Sequence, residues 1–184
     1  MRTAAQALCL PHFSAYDGAM PAYADSDAAL IAECEISSSS THSPGGQHRN
    51  KTESSVRFRH RPSGLVAQCE EHRARADNRA EAMRRLRIRL AIHQRGVSDV
   101  AWLQGFRRGN GLAITPVDAG FALVVACCLD ALAATKAVIS EAARSLALST
   151  SQFTKVLSVD KEVLHAANEL RKIAGLRPIR TNVD

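Results

Sequence analysis

The stretch Val56-Arg57-Phe58-Arg59 alternates apolar and cationic residues with a period of two, which only a half-buried β-strand accommodates. Arg61-Pro62-Ser63-Gly64 follows as a turn signal, and Leu65-Val66-Ala67-Gln68-Cys69 reads as the returning strand of a hairpin. From Arg73 to His93 the period changes to that of a helix, with Ala76, Ala80, Met83, Leu86 and Leu90 on one stripe. Hairpin then helix, with no second strand–helix repeat, limits this part of the chain to a small α+β fold. Upstream, Leu30 to Ile36 is expected to pass from a short turn into a further strand. The run Ser37 to Ser40, with Thr41, Ser43, Pro44, Gly45 and Gly46, is expected as a loop.

The remainder divides at composition changes. Residues 1–26, rich in Ala, Pro and Tyr without periodicity, are expected to be a disordered segment. Residues 27–95 hold the α+β domain, and residues 96–112, marked by Gly96, Gly105, Gly109 and Gly111, are expected as a linker. Residues 113–184 read as helical, with candidate helices over 117–134, 140–146, 150–156 and 161–173, closed by Gly175 and Pro178. The pattern EAARSLALSTSQFTKVL from Glu141 resembles a helix-turn-helix in its spacing. Thr150 to Lys155 would then touch nucleic acid. The plainer reading, two helices packed through Leu146, Leu148, Phe153 and Leu157, is favoured because few cations accompany them.

Charge bears on partners. Between Arg49 and Arg95 stand thirteen cations, twelve of them arginine, against five acids, so this segment carries +8 while the whole chain carries +6. Guanidinium groups pair with phosphate in two places and stack on bases. One-signed excess across several elements points to a nucleic-acid surface, although any single arginine is as well explained as a solvated side chain. Five cysteines without CxxC spacing suggest reduced thiols, with Cys127 and Cys128 in an apolar run as core residues. His48, His60 and His72 lack metal-ligand spacing, so no metal or cofactor is expected. The opening residues are too weakly apolar for a secretory signal. Gly120 to Ala134, the most apolar run, is too short for a membrane span.

Within SPGGQHRNKT, two glycines precede a glutamine and then a run of cations. Glycine allows backbone conformations and close approaches closed to other residues. The tip would offer a main-chain N–H and an amide side chain, but no general base. No Ser-His-Asp set or carboxylate pair accompanies it, so a catalytic reading leaves water as the nucleophile.

The ordered series PGGQHRNKTESSVRFRHRPSGLVAQCEEHR, with NRAEAMRRLRIRL after it, resembles the catalytic domain of class I peptide chain release factors. In size it is closest to the short, codon-independent relatives that rescue stalled ribosomes. The resemblance covers residues 27–93 and implies hydrolysis of the peptidyl-tRNA ester in the peptidyl-transferase centre. It assigns Gly45, Gly46 and Gln47 to catalysis. The Gln47 main-chain N–H would stabilise developing negative charge and its side chain would orient water. Lys51, Arg57 and Arg59 would hold the loop against RNA phosphates, and Arg79, Arg84, Arg85, Arg87 and Arg89 would widen that footprint. The implied partners are the large-subunit ribosomal RNA and the P-site peptidyl-tRNA, with a monomer off the ribosome and a bacterial cytoplasm or an organelle matrix as location. Serines and Thr41 replace an arginine usual before the glycines, Ser43 replaces a glycine, and Arg49 replaces an apolar residue. These departures leave open a GGQ-domain protein that binds ribosomal RNA without catalysis. A helix-turn-helix regulator is the third reading. The chain is expected to lack room for stop-codon-reading domains, and the stretch from Lys136 is too apolar for an unstructured basic tail.

Overall fold

The computed structural model describes residues 21–38, 54–95, 98–109 and 111–180. Two compact units are present, one spanning Asp25–Leu90 and the other taking in the chain before Asp25 and after Leu90.

The first unit has the expected α+β fold. Helix α1 (Asp27–Ala32) starts where the Ser26 side chain accepts from the Ala29 N–H, a cap worth about 1 kcal/mol. It leads into β1 (Cys34–Ser37), which pairs antiparallel with β2 (Val56–His60), and β2 pairs antiparallel with β3 (Val66–Cys69). The strand order is β1-β2-β3. Along β2, Val56, Phe58 and His60 are buried while Arg57 and Arg59 are exposed, as the alternation requires. Gly64, at φ +70, makes the turn that returns the chain into β3. Helix α2 (Arg75–His93) closes the core with Ala82, Met83, Leu86, Ile88 and Leu90.

The inward stripe of α2 departs from expectation at its start. Ala76 and Ala80 are exposed, and Asn78 takes the inward place with no exposed surface. Periodicity picked out the apolar letters, but the buried position there is polar and satisfied by hydrogen bonds.

The second unit is mainly helical. Helix α3 (Phe121–Ala134) is apolar on nearly every side, and it packs against α4 (Ile139–Ser145), α5 (Thr150–Ser158) and α6 (Lys161–Ile173). It begins at Phe121 rather than Val117. The Thr115 N–H and hydroxyl both donate to the Asp118 carboxylate, at 2.6 and 2.8 Å, and this local turn leaves Val117 81% exposed. Ser149 and Asp160 cap α5 and α6.

Two expectations are corrected here. The supposed linker carries a 3-10 helix (Val100–Phe106) capped by Asp99, then strands β4 (Arg107–Arg108) and β5 (Gly111–Leu112) paired as a hairpin. Within it Gly109 takes a left-handed φ of 55, and beyond it Gly120 lies so close to the Phe106 ring that a Cβ there would fall 2.2 Å away. The N-terminal segment is not wholly without structure either. Residues 1–20 lie outside the described residues, but Ala22–Ala24 forms a 3-10 turn, and Tyr23 is buried edge-on against Trp102 at 6.3 Å between ring centroids. Among the described residues no helix is long and apolar enough to cross a membrane.

Candidate functional site

Gly45, Gly46, Gln47 and Lys51 lie outside the described residues. What the structure describes is the pair of strands that flank them in the chain. Ser37 and Arg57 are cross-strand partners, so the chain leaves the sheet on β1 and re-enters it on the neighbouring strand β2.

Just before β2, the chain is held by Asn78. Its amide nitrogen donates to the Ser54 carbonyl and to the His72 carbonyl, each at 2.8 Å. Its oxygen accepts from the His72 N–H at 2.8 Å and from the Cys69 thiol at 3.2 Å. Asn78 itself has no exposed surface, and an unmade hydrogen bond on so buried a group costs about 1–3 kcal/mol. One side chain therefore fastens three segments: the return from the loop, the end of β3 and the approach to α2. The sequence reading missed it. The available signal was a lone Asn inside an otherwise Ala- and Leu-lined helix pattern.

A second fastening sits at the other end of β2. The buried His60 ring lies between Glu33 and Ser63. The Ser63 N–H donates to Nδ1 at 3.3 Å, so Nδ1 is the acceptor and Nε2–H donates to Glu33 at 2.9 Å. Arg61 adds bonds from its own N–H and its guanidinium to the Glu33 carbonyl, and a further one to the Ala32 carbonyl. Together these tie the end of α1 to the β2–β3 turn. His60 is thus a buried, hydrogen-bonded part of the fold.

The predicted RNA-contacting arginines are not one surface. Arg57 and Arg59 share the outer face of the sheet, where Arg59 meets Glu35 at 3.4 Å between two largely exposed side chains. A pair so exposed holds the guanidinium weakly. Arg79 is exposed on α2, its guanidinium 5.6 Å from the centroid of the inward-facing Phe58 ring.

The other helix arginines are committed to the fold. Arg84 and Arg85 both bind Glu81, at 2.7 and 2.8 Å, and Arg85 also binds the Gln68 carbonyl and Glu71. These guanidiniums, Arg84 first, hold the Glu81 carboxyl down to about 2, and Arg85 is pushed further up by Glu71 and Glu81. Arg89 binds the Val66 carbonyl. Arg87 is the clear correction to the expected footprint: its side chain is 7% exposed and pairs with Asp27 at 2.6 Å. A guanidinium so placed braces α1 against α2 and has no surface to offer a phosphate.

Comparison with known proteins decides the family of this unit. Residues 30–100 match the family described as the RF-1 domain. This segment is an RF-1 domain. The chain is 51% identical over 57 residues to peptide chain release factor 1 of Rhodospirillum rubrum, a stretch covering 31% of this chain and 16% of that protein. It is 56% identical over 46 residues to peptide chain release factor 2 of Bordetella avium, covering 25% and 12%. To peptide chain release factor 1 of Geobacter sulfurreducens it is 41% identical over 69 residues, covering 36% and 19%. The chain thus spans less than a fifth of the length of these relatives. No solved structure matches it. The RF-1 domain match starts within α1 and ends at the first residue of the 3-10 helix, so α3 to α6 lie beyond it.

Proposed function

We propose that the chain is a ribosome-dependent peptidyl-tRNA hydrolase that acts without reading a codon, with water as the nucleophile. The observation that carries this reading is the RF-1 domain match over residues 30–100, which takes in Gly45, Gly46 and Gln47 together with the scaffold around them. In the proposed reaction, Gly45 and Gly46 let the loop enter a crowded RNA pocket. The Gln47 main-chain N–H stabilises charge on the reacting carbonyl and the departing ribose oxygen, and such a donor is worth about 10²–10³ in rate. The Gln47 side chain orients water. Ribosomal RNA and the tRNA ribose complete the site, so the chain supplies no acid or base. Lys51, Arg57, Arg59 and Arg79 position the loop through phosphates, contacts that carry no sequence information and suit a substrate shared by all tRNAs.

Codon independence is the finer part of this proposal and is tested separately. Residues 101–180 fall outside the family match and form the hairpin and helices of the second unit. The test is a reconstituted release assay on ribosomes carrying peptidyl-tRNA, with the decoding site filled by a sense codon or left empty. Release under both conditions, lost in Gly46→Ala, is the expected result. Unchanged release in Gly46→Ala would overturn the hydrolase reading, and release only at a stop codon would overturn codon independence.

A further inference from the structure

The second unit holds a surface that the RF-1 domain does not account for. Helix α4 ends at Ser145 and α5 begins at Thr150, so four residues join them, about the span of a helix-turn-helix connection. Ala147 gives the turn its shape by taking a left-handed φ of 50, a conformation such turns often assign to glycine. Leu146 and Leu148, on either side of it, are buried with Phe153 and Leu157.

The β4–β5 hairpin adds what the sequence pattern lacked. From β4, Arg107 donates to the Leu146 carbonyl at 2.5 Å and to the Ala147 carbonyl at 3.2 Å, fixing the turn. From β5, Gly111 lies against α5 so closely that a Cβ there would fall 2.2 Å from Gln152 Nε2. The hairpin therefore stands as a wing beside the turn and the first turn of α5. Exposed around this junction are Arg108, Arg144, Ser149, Thr150, Ser151 and Lys155. Between Ile139 and Ser158 the one acid is Glu141.

We propose that this wing and helix form a second nucleic-acid contact, and that its partner is double-helical RNA gripped through phosphates and ribose hydroxyls. The outward residues of α5 are hydroxyls and one lysine. They suit the shallow minor groove of an RNA helix, which displays 2′-hydroxyls and phosphates. Reading DNA bases calls for Arg, Asn or Gln aimed outward, and Gln152 is turned to Gly111 instead. With so few cations the surface is weak alone. Linked in one chain to an RF-1 domain, it acts at a local concentration of about millimolar. The choice of RNA over DNA rests on the ribosomal role proposed above.

The test uses the full chain with an RNA duplex of about 20 base pairs, and a DNA duplex of the same sequence. Hydrogen exchange and fluorescence anisotropy are read. The RNA duplex should protect amides in 147–156. The double variant Arg108→Glu/Lys155→Glu should remove that protection, weaken RNA binding about tenfold and lower the salt slope by about two. Arg57→Glu/Arg59→Glu should weaken binding yet leave protection in 147–156 at saturation. Protection confined to 25–90, tighter binding of DNA than RNA, or affinity unchanged in Arg108→Glu/Lys155→Glu would each overturn the proposal. Failure of peptide release with these RNA results intact counts against the hydrolase alone.

Discussion

The Asn78 amide donates to the Ser54 carbonyl at 2.8 Å, so the helix behind the sheet holds the chain just before it enters β2, downstream of Gly45, Gly46 and Gln47. Replacing Asn78 by Ala removes the partner of the Ser54 and His72 carbonyls, the His72 N–H and the Cys69 thiol at a helix position with no exposed surface. The expected cost is about 2–4 kcal/mol, read by urea denaturation. Asn78→Asp keeps the acceptor but loses both donations, and should be nearly as damaging. A loss under about 1 kcal/mol in both variants would show that the bonds are replaceable.

Arg87 and Arg57 should separate cleanly. Arg87→Ala removes a buried guanidinium from Asp27, and a stability loss of about 2 kcal/mol is expected, with RNA affinity of the folded protein unchanged. Arg57→Glu, on the exposed face of β2, should leave the unfolding midpoint in place and weaken RNA binding several-fold. Denaturation and an RNA titration on both variants check this, and the opposite assignment of effects would refute it.

The cluster of Glu81 with Arg84 and Arg85 gives stability a pH dependence. Glu81 sits at about 2 in the fold, below its ordinary value of 4.5. Its contribution is therefore complete above pH 4.5 and drains away as pH falls toward 2. The ceiling is about 3 kcal/mol, reduced by the one-fifth of the side chain that solvent reaches. Glu81→Gln should flatten the acid limb of the stability curve in that window and leave the remainder of its shape alone.

In the second unit, Arg95 lies 2.7 Å from Asp130, with side chains 11% and 17% exposed. Neither terminal nitrogen of the Arg95 guanidinium makes a well-aligned hydrogen bond. Burial pulls the Arg95 pKa down and Asp130 opposes it. Asp130→Ala leaves that cation in the interior and also removes the acceptor of the Ser98 hydroxyl. A loss of about 3–5 kcal/mol is expected. Asp27→Ala should cost less, because Asp27 is 70% exposed. Thermal denaturation of the two variants side by side decides the ranking.

Much of the fold follows from local pattern. The β2–β3 hairpin is legible in Val56 to Cys69 because alternation and turn residues agree. Helices α5 and α6 are legible because each is amphipathic and opens on a Ser or Asp cap. What local pattern hides is long-range. Arg87 reads as solvated until Asp27, sixty residues away, is found beside it. Tyr23 reads as part of a featureless segment until Trp102 covers it. Helix α1 is too short to show a period, leaving the Ser26 cap as its one signal. At the candidate site the glycines and glutamine stand out by their letters, whereas Asn78 and Glu33 act through partners that no spacing rule connects.

Pairing Ser37 with Arg57 places both feet of the loop on adjacent strands, so the sheet carries the cost of bringing them together. Strand pairing therefore fixes where the chain carrying Gly45, Gly46 and Gln47 leaves the sheet and where it rejoins it. Selection can thus exchange residues between these two strands while the supporting architecture persists unaltered.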